Sequence, residues 1–457
     1  MKIPLIAAFL AVALTGAASL FSKSTTESSA TPSDRPIRLK VDVDRGVLPA
    51  GSTERAVVKI GLDCVPPKRH AARAPVNLAL VIDRSGSMHG DKIAQAREAA
   101  LALVRRLGPD DVISIIAFDT EVRTLVPARR VGTGDGLEAA IARIQAGGDT
   151  ALHGGVMRGA AEVRRHVGEV GTIDRVILLS DGQANVGPSS PEELGRLGHA
   201  LMKEGIAVTT IGLGLGFNED LMTRLAQRSD GNTYFVENSN DLPGIFAHEL
   251  GDVLNVVARR VVIEIDFPEG VRPIHFVGRD GSIRGQRAEV TLNQLYGGQE
   301  KYALVEVEVS PERDGREREI ARARVNYEDA LTQRSASVTA QRNVTFSAEE
   351  KVVVASANHQ VQADYAANVL AIAKDEAIAL VDSGRRHEAA ELMRQRSAEL
   401  REIGQVYGNS LVAASAASAA PEADRLDREG LDNAQRKSYR TEAQQAKNQQ
   451  SSWNSHP

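Results

Sequence analysis

Two kinds of hydrophobic patterning divide the chain. Near the start, Ile37, Leu39, Val41 and Val43 alternate with Arg38, Lys40, Asp42 and Asp44, and Ala56, Val58, Ile60, Leu62 and Cys64 share one side of a second run. A period of two predicts strands with one dry and one wet face. From residue 76 the pattern changes to short apolar runs, at 76–82, 112–118 and 176–179, which read as strands buried on both faces, with a further strand at 206–211. Between the first two, Ile93, Ala96, Ala100, Leu103, Val104 and Leu107 recur at helical spacing. Further helices are predicted near 136–145, 154–167, 191–203, 219–227 and 242–257, with a short edge strand at 121–126 and another strand at 233–236. Strands alternating with helices predict an α/β architecture, a doubly wound and mainly parallel sheet covered on both sides.

After residue 257 the alternation returns, in Val261, Ile263, Ile265 and Phe267, in Ala303, Val305, Val307 and Val309, and in Ala321, Ala323, Val325 and Tyr327. Two strands cannot bury a core by themselves. The strands at 37–74 and 258–346 are therefore expected to form one β-sandwich, with the α/β domain of 75–257 inserted in it. Residues 66–75, basic and proline-bearing, read as a linker into that domain. Ser347-Ala348-Glu349-Glu350 reads as a capping box opening a helical region over 347–412. Residues 413–457, rich in Ala and Ser and then in Gln, Asn, Lys and Ser, are expected to form a disordered tail.

Composition narrows the function classes. With 457 residues, 42% hydrophobic and 25% charged, the chain suits two or three globular domains. A formal net charge of −5 and only 4% aromatics give no case for a nucleic-acid partner. Lys2 followed by an apolar run to Phe21, with small residues at Gly16-Ala17-Ala18, reads as a secretory signal. The run is also about long enough to serve as an uncleaved membrane anchor. Either reading of residues 1–21 exports the rest to the periplasm, the cell surface or the medium, with 22–36 as a Ser/Thr/Pro-rich linker. The lone Cys64 has no internal disulfide partner and reads as a small buried strand residue.

The candidate chemistry begins where the run 76–82 ends, at Asp83-Arg84-Ser85-Gly86-Ser87-Met88. Asp83, Ser85 and Ser87 place oxygens at every second position. In an extended strand the first and last would lie roughly 13 Å apart, so they can share an ion only if the chain curls, and Gly86 is expected to permit that curl. Hard oxygens at the carboxyl end of a buried strand suit a hard divalent cation. Two further segments are expected at the same sheet edge: Gly147-Gly148-Asp149-Thr150, a loosened loop ending in a hydroxyl, and Asp181, just past the strand 176–179.

With those residues in place the region from about residue 75 to 257 resembles a von Willebrand factor type A domain with a metal-ion-dependent adhesion site. That family's pattern is Asp-x-Ser-x-Ser, a distant Thr and a later Asp after an apolar strand; Asp83, Ser85, Ser87, Thr150 and Asp181 match all five positions. The surrounding plan more loosely resembles bacterial exported proteins related to inter-alpha-trypsin inhibitor heavy chains, some of them labelled calcium-activated chloride channel-like. The resemblance implies that Ser85, Ser87 and Thr150 bind the ion through hydroxyls while Asp83 and Asp181 hold its waters or switch to direct contact. Mg2+ suits such a set, with Mn2+ or Ca2+ as substitutes. Neutral hydroxyls leave the ion under-neutralised, so the implied partner is a protein presenting Asp or Glu, and the implied function is cation-dependent binding rather than catalysis. The competing readings are an envelope scaffold whose metal only stabilises the fold and a hydrolase using the ion, for which no base or nucleophile is in evidence. Asp149 is expected to face outward, and His153 to be a helix-start residue. Gly212-Leu213-Gly214-Leu215-Gly216 lacks dinucleotide spacing and reads as a strand-to-helix turn, and His248-Glu249 has Asp252 where a zinc helix needs its second His.

Overall fold

The computed structural model describes residues 36–66, 73–169 and 171–450. The expected signal or anchor at 1–21, the linker up to residue 35 and most of the basic linker before residue 73 lie outside them. Strands β1 (Ile37–Val43), β2 (Val47–Pro49) and β3 (Glu54–Cys64) open the described chain. The α/β region follows as β4 (Val76–Asp83), α1 (Asp91–Val104), β5 (Val112–Phe118), β6 (Val122–Arg130), α2 (Leu137–Ala142), α3 (Leu152–Arg164), β7 (Ile173–Ser180), α4 (Pro191–Lys203), β8 (Ala207–Leu213), α5 (Glu219–Ser229), β9 (Thr233–Val236) and α6 (Leu242–Val253).

Its six strands lie in the order β6-β5-β4-β7-β8-β9, parallel except for the antiparallel edge pair β5–β6. Every residue of β4 is buried. Leu78, Leu80 and Ile82 pack with α1 and α6 on one face, and Ala79 and Val81 with α3, α4 and α5 on the other. The chain leaves β4 to one side for β5 and returns to the other side for β7, so the strand order reverses at β4 and opens a crevice past the strand ends there. The edge strand β6 is longer than the period suggested, and α2 stops at Ala142 rather than continuing to 145.

The remaining strands are β10 (Val256–Asp266), β11 (Val271–Val277), β12 (Ser282–Arg284), β13 (Arg287–Tyr296), β14 (Glu300–Val309), β15 (Glu317–Asp329) and β16 (Ser335–Ser347). They form two sheets, β1-β3-β14-β11 and β12-β13-β10-β15-β16-β2, so strands from before and after the α/β domain share both. The pairing of β3 with β14 runs from Glu54↔Val309 to Asp63↔Glu300, and the inward residues Ile60, Val261, Ile263, Val305 and Val325 join one core. The α/β domain is inserted in this sandwich. Cys64 is buried there, and burial pushes its thiol up to about 12, which leaves it unreactive.

Five helices complete the described chain: α7 (Glu350–Ala355), α8 (His359–Asp382), α9 (Arg386–Val406), α10 (Ser410–Glu429) and α11 (Asn433–Asn448). Ser347 Oγ accepts from Glu349 N at 3.1 Å, which caps a turn and leaves the expected capping box unformed at α7. The expectation of a disordered tail from residue 413 is corrected by α10 and α11. Val412, Ala416, Ala419, Ala423 and Leu426 are buried on one stripe of α10, where small side chains allow close packing: a Cβ at Gly404 would lie 3.0 Å from the backbone of Ala413. In α11 the polar residues that read as disorder are paired, Lys437 with Glu219 and the Phe217 carbonyl, and Arg440 with Asp220 and Asp375. Low hydrophobicity predicts disorder only where the charges meet water instead of partners. Among the described residues no helix is long and apolar enough to cross a membrane.

Candidate metal centre

The centre lies in the crevice between β4 and β7. Asp83, the last residue of β4, is fully buried; its Oδ1 accepts from the Ser85 backbone N–H at 2.8 Å, and its Oδ2 from Ser180 Oγ at 2.5 Å. The first of these bonds turns the chain out of the strand, and a single 3₁₀ turn at Gly86–Met88 completes the curl. Ser85 Oγ and Ser87 Oγ thereby come within 3.1 Å. The curl needs no left-handed residue. Gly86 is not among the glycines at positive φ, and its backbone N–H instead binds the Gly148 carbonyl at 2.9 Å. The glycine that the conformation does require is Gly148, at φ +80°, where a Cβ would lie 2.9 Å from Thr120 Oγ1.

That loop presents Thr150, which is buried; its N–H donates to Asn185 Oδ1 at 2.8 Å, and its carbonyl accepts from the N–H groups of Asn185 and Val186. Asp181 follows β7, and its Oδ1 accepts from Ser87 Oγ at 2.7 Å. A Cβ at Gly182 would fall 2.8 Å from Thr150 Oγ1 and 3.5 Å from Asp83 Oδ2, so a bare backbone here leaves these oxygens room. All five sequence-predicted residues thus meet in one cluster. Four are buried, while Ser87 and its neighbour Gly86 are exposed, so the cluster opens to solvent on that side. Asp149 is exposed, with Oδ1 3.4 Å from Asn185 Nδ2, and His153 is half-buried in the first turn of α3.

Sequence comparison agrees with this geometry, since residues 77–248 match the family model described as von Willebrand factor type A domain. The chain carries a von Willebrand factor type A domain. An uncharacterized protein of Synechocystis sp. is 28% identical over 270 residues, 57% of this chain and 63% of that protein. Inter-alpha-trypsin inhibitor heavy chain H3 of Mesocricetus auratus is 26% identical over 238 residues, 48% of this chain but only 26% of its own length. The match therefore spans less than two thirds of either relative. A solved structure described as von Willebrand factor type A from Catenulispora acidiphila superposes with a TM-score of 0.65 at 16% identity, covering 87% of this chain and 97% of that one; it shares the fold. Type A domains are commonly divalent-cation-dependent protein-interaction modules and typically bind a divalent metal at such a site.

The donors of this type A domain fit a hard cation. They are two carboxylates and three hydroxyls, all oxygen, and among the described residues no group of three or more His, Cys, Asp and Glu side chains is placed to hold a metal. Burial pushes the Asp83 carboxyl up to about 6, against the hydrogen bonds from Ser180 and Ser85, and the neighbouring Asp181 charge adds to the rise. A bound cation is the natural compensation for that buried charge.

Four supporting residues were missed by sequence reasoning. Ser180 holds Asp83, Asn185 holds the Thr150 backbone, and Arg84 forms an ion pair with Asp119 at 2.5 Å that ties the first loop to the end of β5. Lys92 forms an ion pair with Asp181 Oδ2. A signal for Lys92 was present: it lies in the first turn of α1, where the helix dipole disfavours a cation, so its position asks for a local anion.

Proposed function

We propose that this chain is an exported, divalent-cation-dependent protein-binding module for adhesion or assembly. The observation that carries the reading is the donor set itself, three neutral hydroxyls converging with two carboxylates at a mouth open on the Ser87 side. Ser85, Ser87 and Thr150 would hold Mg2+ through their hydroxyls, and Asp83 and Asp181 would hold it through water. When bound, Mg2+ supplies a coordination position for an Asp or Glu carboxylate of a partner protein. Asp83 is fixed by Ser180 and by the Ser85 N–H, and Thr150 by Asn185, so both residues are oriented before any ligand arrives. Export rests on the apolar stretch at 3–21, and the partner class on the neutral ligands. The two carboxylates are already engaged, Asp83 by Ser85 and Ser180 and Asp181 by Ser87 and Lys92, which supports binding over catalysis.

A metal that only stabilises the fold is the competing reading. The mouth open on the Ser87 side favours the binding reading, since an ion that only stabilises the fold needs no route to an outside ligand. The test combines calorimetric titration with Mg2+ and capture of partners from the envelope fraction, eluted by chelator. Asp83→Ala and Thr150→Ala are expected to lose Mg2+ binding by at least about tenfold and to lose chelator-sensitive capture, whereas an ion that only stabilises the fold would lower the melting temperature on chelation without affecting any capture. Full Mg2+-sensitive capture by Asp83→Ala would refute the proposal.

A further inference from the structure

We infer that Lys92 is a positioning residue that keeps Asp181 from ligating the ion directly and so preserves the ion's attraction for an external carboxylate. The inference rests on the metal-binding reading above and concerns how strongly that site holds a cation against an anion.

The two carboxylates of the cluster are not equivalent. Asp83 is bonded only by neutral groups, the Ser85 N–H and the Ser180 hydroxyl. Asp181, fully buried at its side chain, has both oxygens engaged: Oδ1 by the Ser87 hydroxyl, which faces the cluster, and Oδ2 by the Lys92 ammonium. One carboxylate is therefore neutralised from within the protein and the other is not.

The lysine is also held where it is. Lys92 projects from the first turn of α1 and is one-third exposed at its side chain. Gly214, at φ +70°, passes beside it, where a Cβ would make ordinary contact with Lys92 Nζ at 3.6 Å, and a Cβ at Gly216 would lie only 2.9 Å from the Asp181 carbonyl. The glycine-rich turn after β8 thus wraps both members of the pair. Within Gly212-Leu213-Gly214-Leu215-Gly216, Gly214 is required by its positive φ, Gly216 by its approach to the Asp181 carbonyl, and Gly212 by the Phe217 ring, whose space a Cβ would enter.

Two consequences follow from elementary electrostatics. An ammonium on Asp181 competes with a divalent ion for the same carboxylate, which weakens the ion's hold. The same positive charge beside the open mouth favours an incoming anion. Removing it should release Asp181 to bind the ion directly, displacing one water and neutralising the charge meant for the partner.

The test uses the exported chain and Mn2+ alone as the probe, read by calorimetry and by water-proton relaxation, which counts exchangeable waters on the ion. Lys92→Met is expected to bind Mn2+ about tenfold more tightly and with lower relaxation enhancement, reflecting one water fewer. Lys92→Arg, which keeps the charge, should stay close to wild type in both. Lys92→Gln provides a second neutral variant if Lys92→Met folds poorly by circular dichroism. Neutral variants that bind Mn2+ equally or more weakly at unchanged relaxation would overturn the inference and reduce Lys92 to a structural ion pair. A wild-type chain that binds no Mn2+ would instead overturn the metal-binding reading, and the inference with it.

Discussion

At the scale of single residues, position in the sheet decides what a carboxylate does. Asp83 and Asp181 end their strands at the switch point, whereas Asp174 sits near the opposite end of β7. Burial pushes the Asp174 carboxyl up to about 6, although Asn77 Nδ2 donates to it at 2.7 Å and Arg259 and Arg260 favour its charged form. Because the folded state holds this proton to higher pH than the unfolded chain, stability falls as pH rises from about 4 to 6 and stays lower above that. Asp174→Asn keeps an oxygen for Asn77 and removes the charge. Urea denaturation should find it more stable than wild type by about 1–3 kcal/mol at pH 7, with the difference vanishing near pH 4.

At the scale of elements, α3 shows how packing sets the metal centre. Gly155 and Gly159 lie one turn apart on its inner face. A Cβ at Gly155 would come within 2.7 Å of Phe118 Cδ1, and one at Gly159 within 2.6 Å of Val81 Cγ2. The helix therefore rests directly on β4 and β5, and this fixes the height of Thr150, two residues before its first turn. On an exposed helix face, Gly→Ala would stabilise by up to about 1 kcal/mol. Here Gly159→Ala should instead cost about 1–3 kcal/mol, because the helix must lift from the sheet. Thermal melts and divalent-cation titration together check this, since a lifted helix would carry Thr150 away from Asp83 and weaken the proposed cation site as well.

At the scale of the whole molecule, the α/β domain is joined to the sandwich by a buried polar hub. Arg175 on β7, fully buried, donates to Thr209 Oγ1 at 3.0 Å, to Gln294 Oε1 at 2.8 Å and to the Tyr296 hydroxyl, and lies 3.5 Å from Glu249 on α6. Glu249 also accepts from Asn232 and Tyr234, so the glutamate of the half-motif His248-Glu249 serves this network. Arg175→Met would leave the Glu249 carboxylate buried and without its cation. Denaturant unfolding should show a loss of about 3–5 kcal/mol, with the two domains no longer melting as one unit. On the far side, α11 fastens α5 to α8 through Arg436, Lys437 and Arg440, and Lys301 on β14 donates to the carbonyl of Asn448.

What the chain determined by itself was whatever local period or spacing encodes. The continuous apolar run of β4 and the alternation of β1, β3, β10 and β14 were legible because burial on one or two faces dictates residue type at each step, and the five oxygen-bearing residues ending at Asp181 because they follow strand ends in a pattern that resembles a known family's. Tertiary structure alone decided which charges meet. Arg436 and Glu219 are separated by 217 residues, Lys92 and Asp181 by 89, and Arg175 and Tyr296 by 121, and nothing in the neighbouring sequence marks one as the other's partner. The tail read as disordered for the same reason: its helices are held by acids and small-residue contacts supplied from distant segments. A strand's apolar pattern is a property of its own residues, whereas an ion pair exists only once the fold has placed both ends.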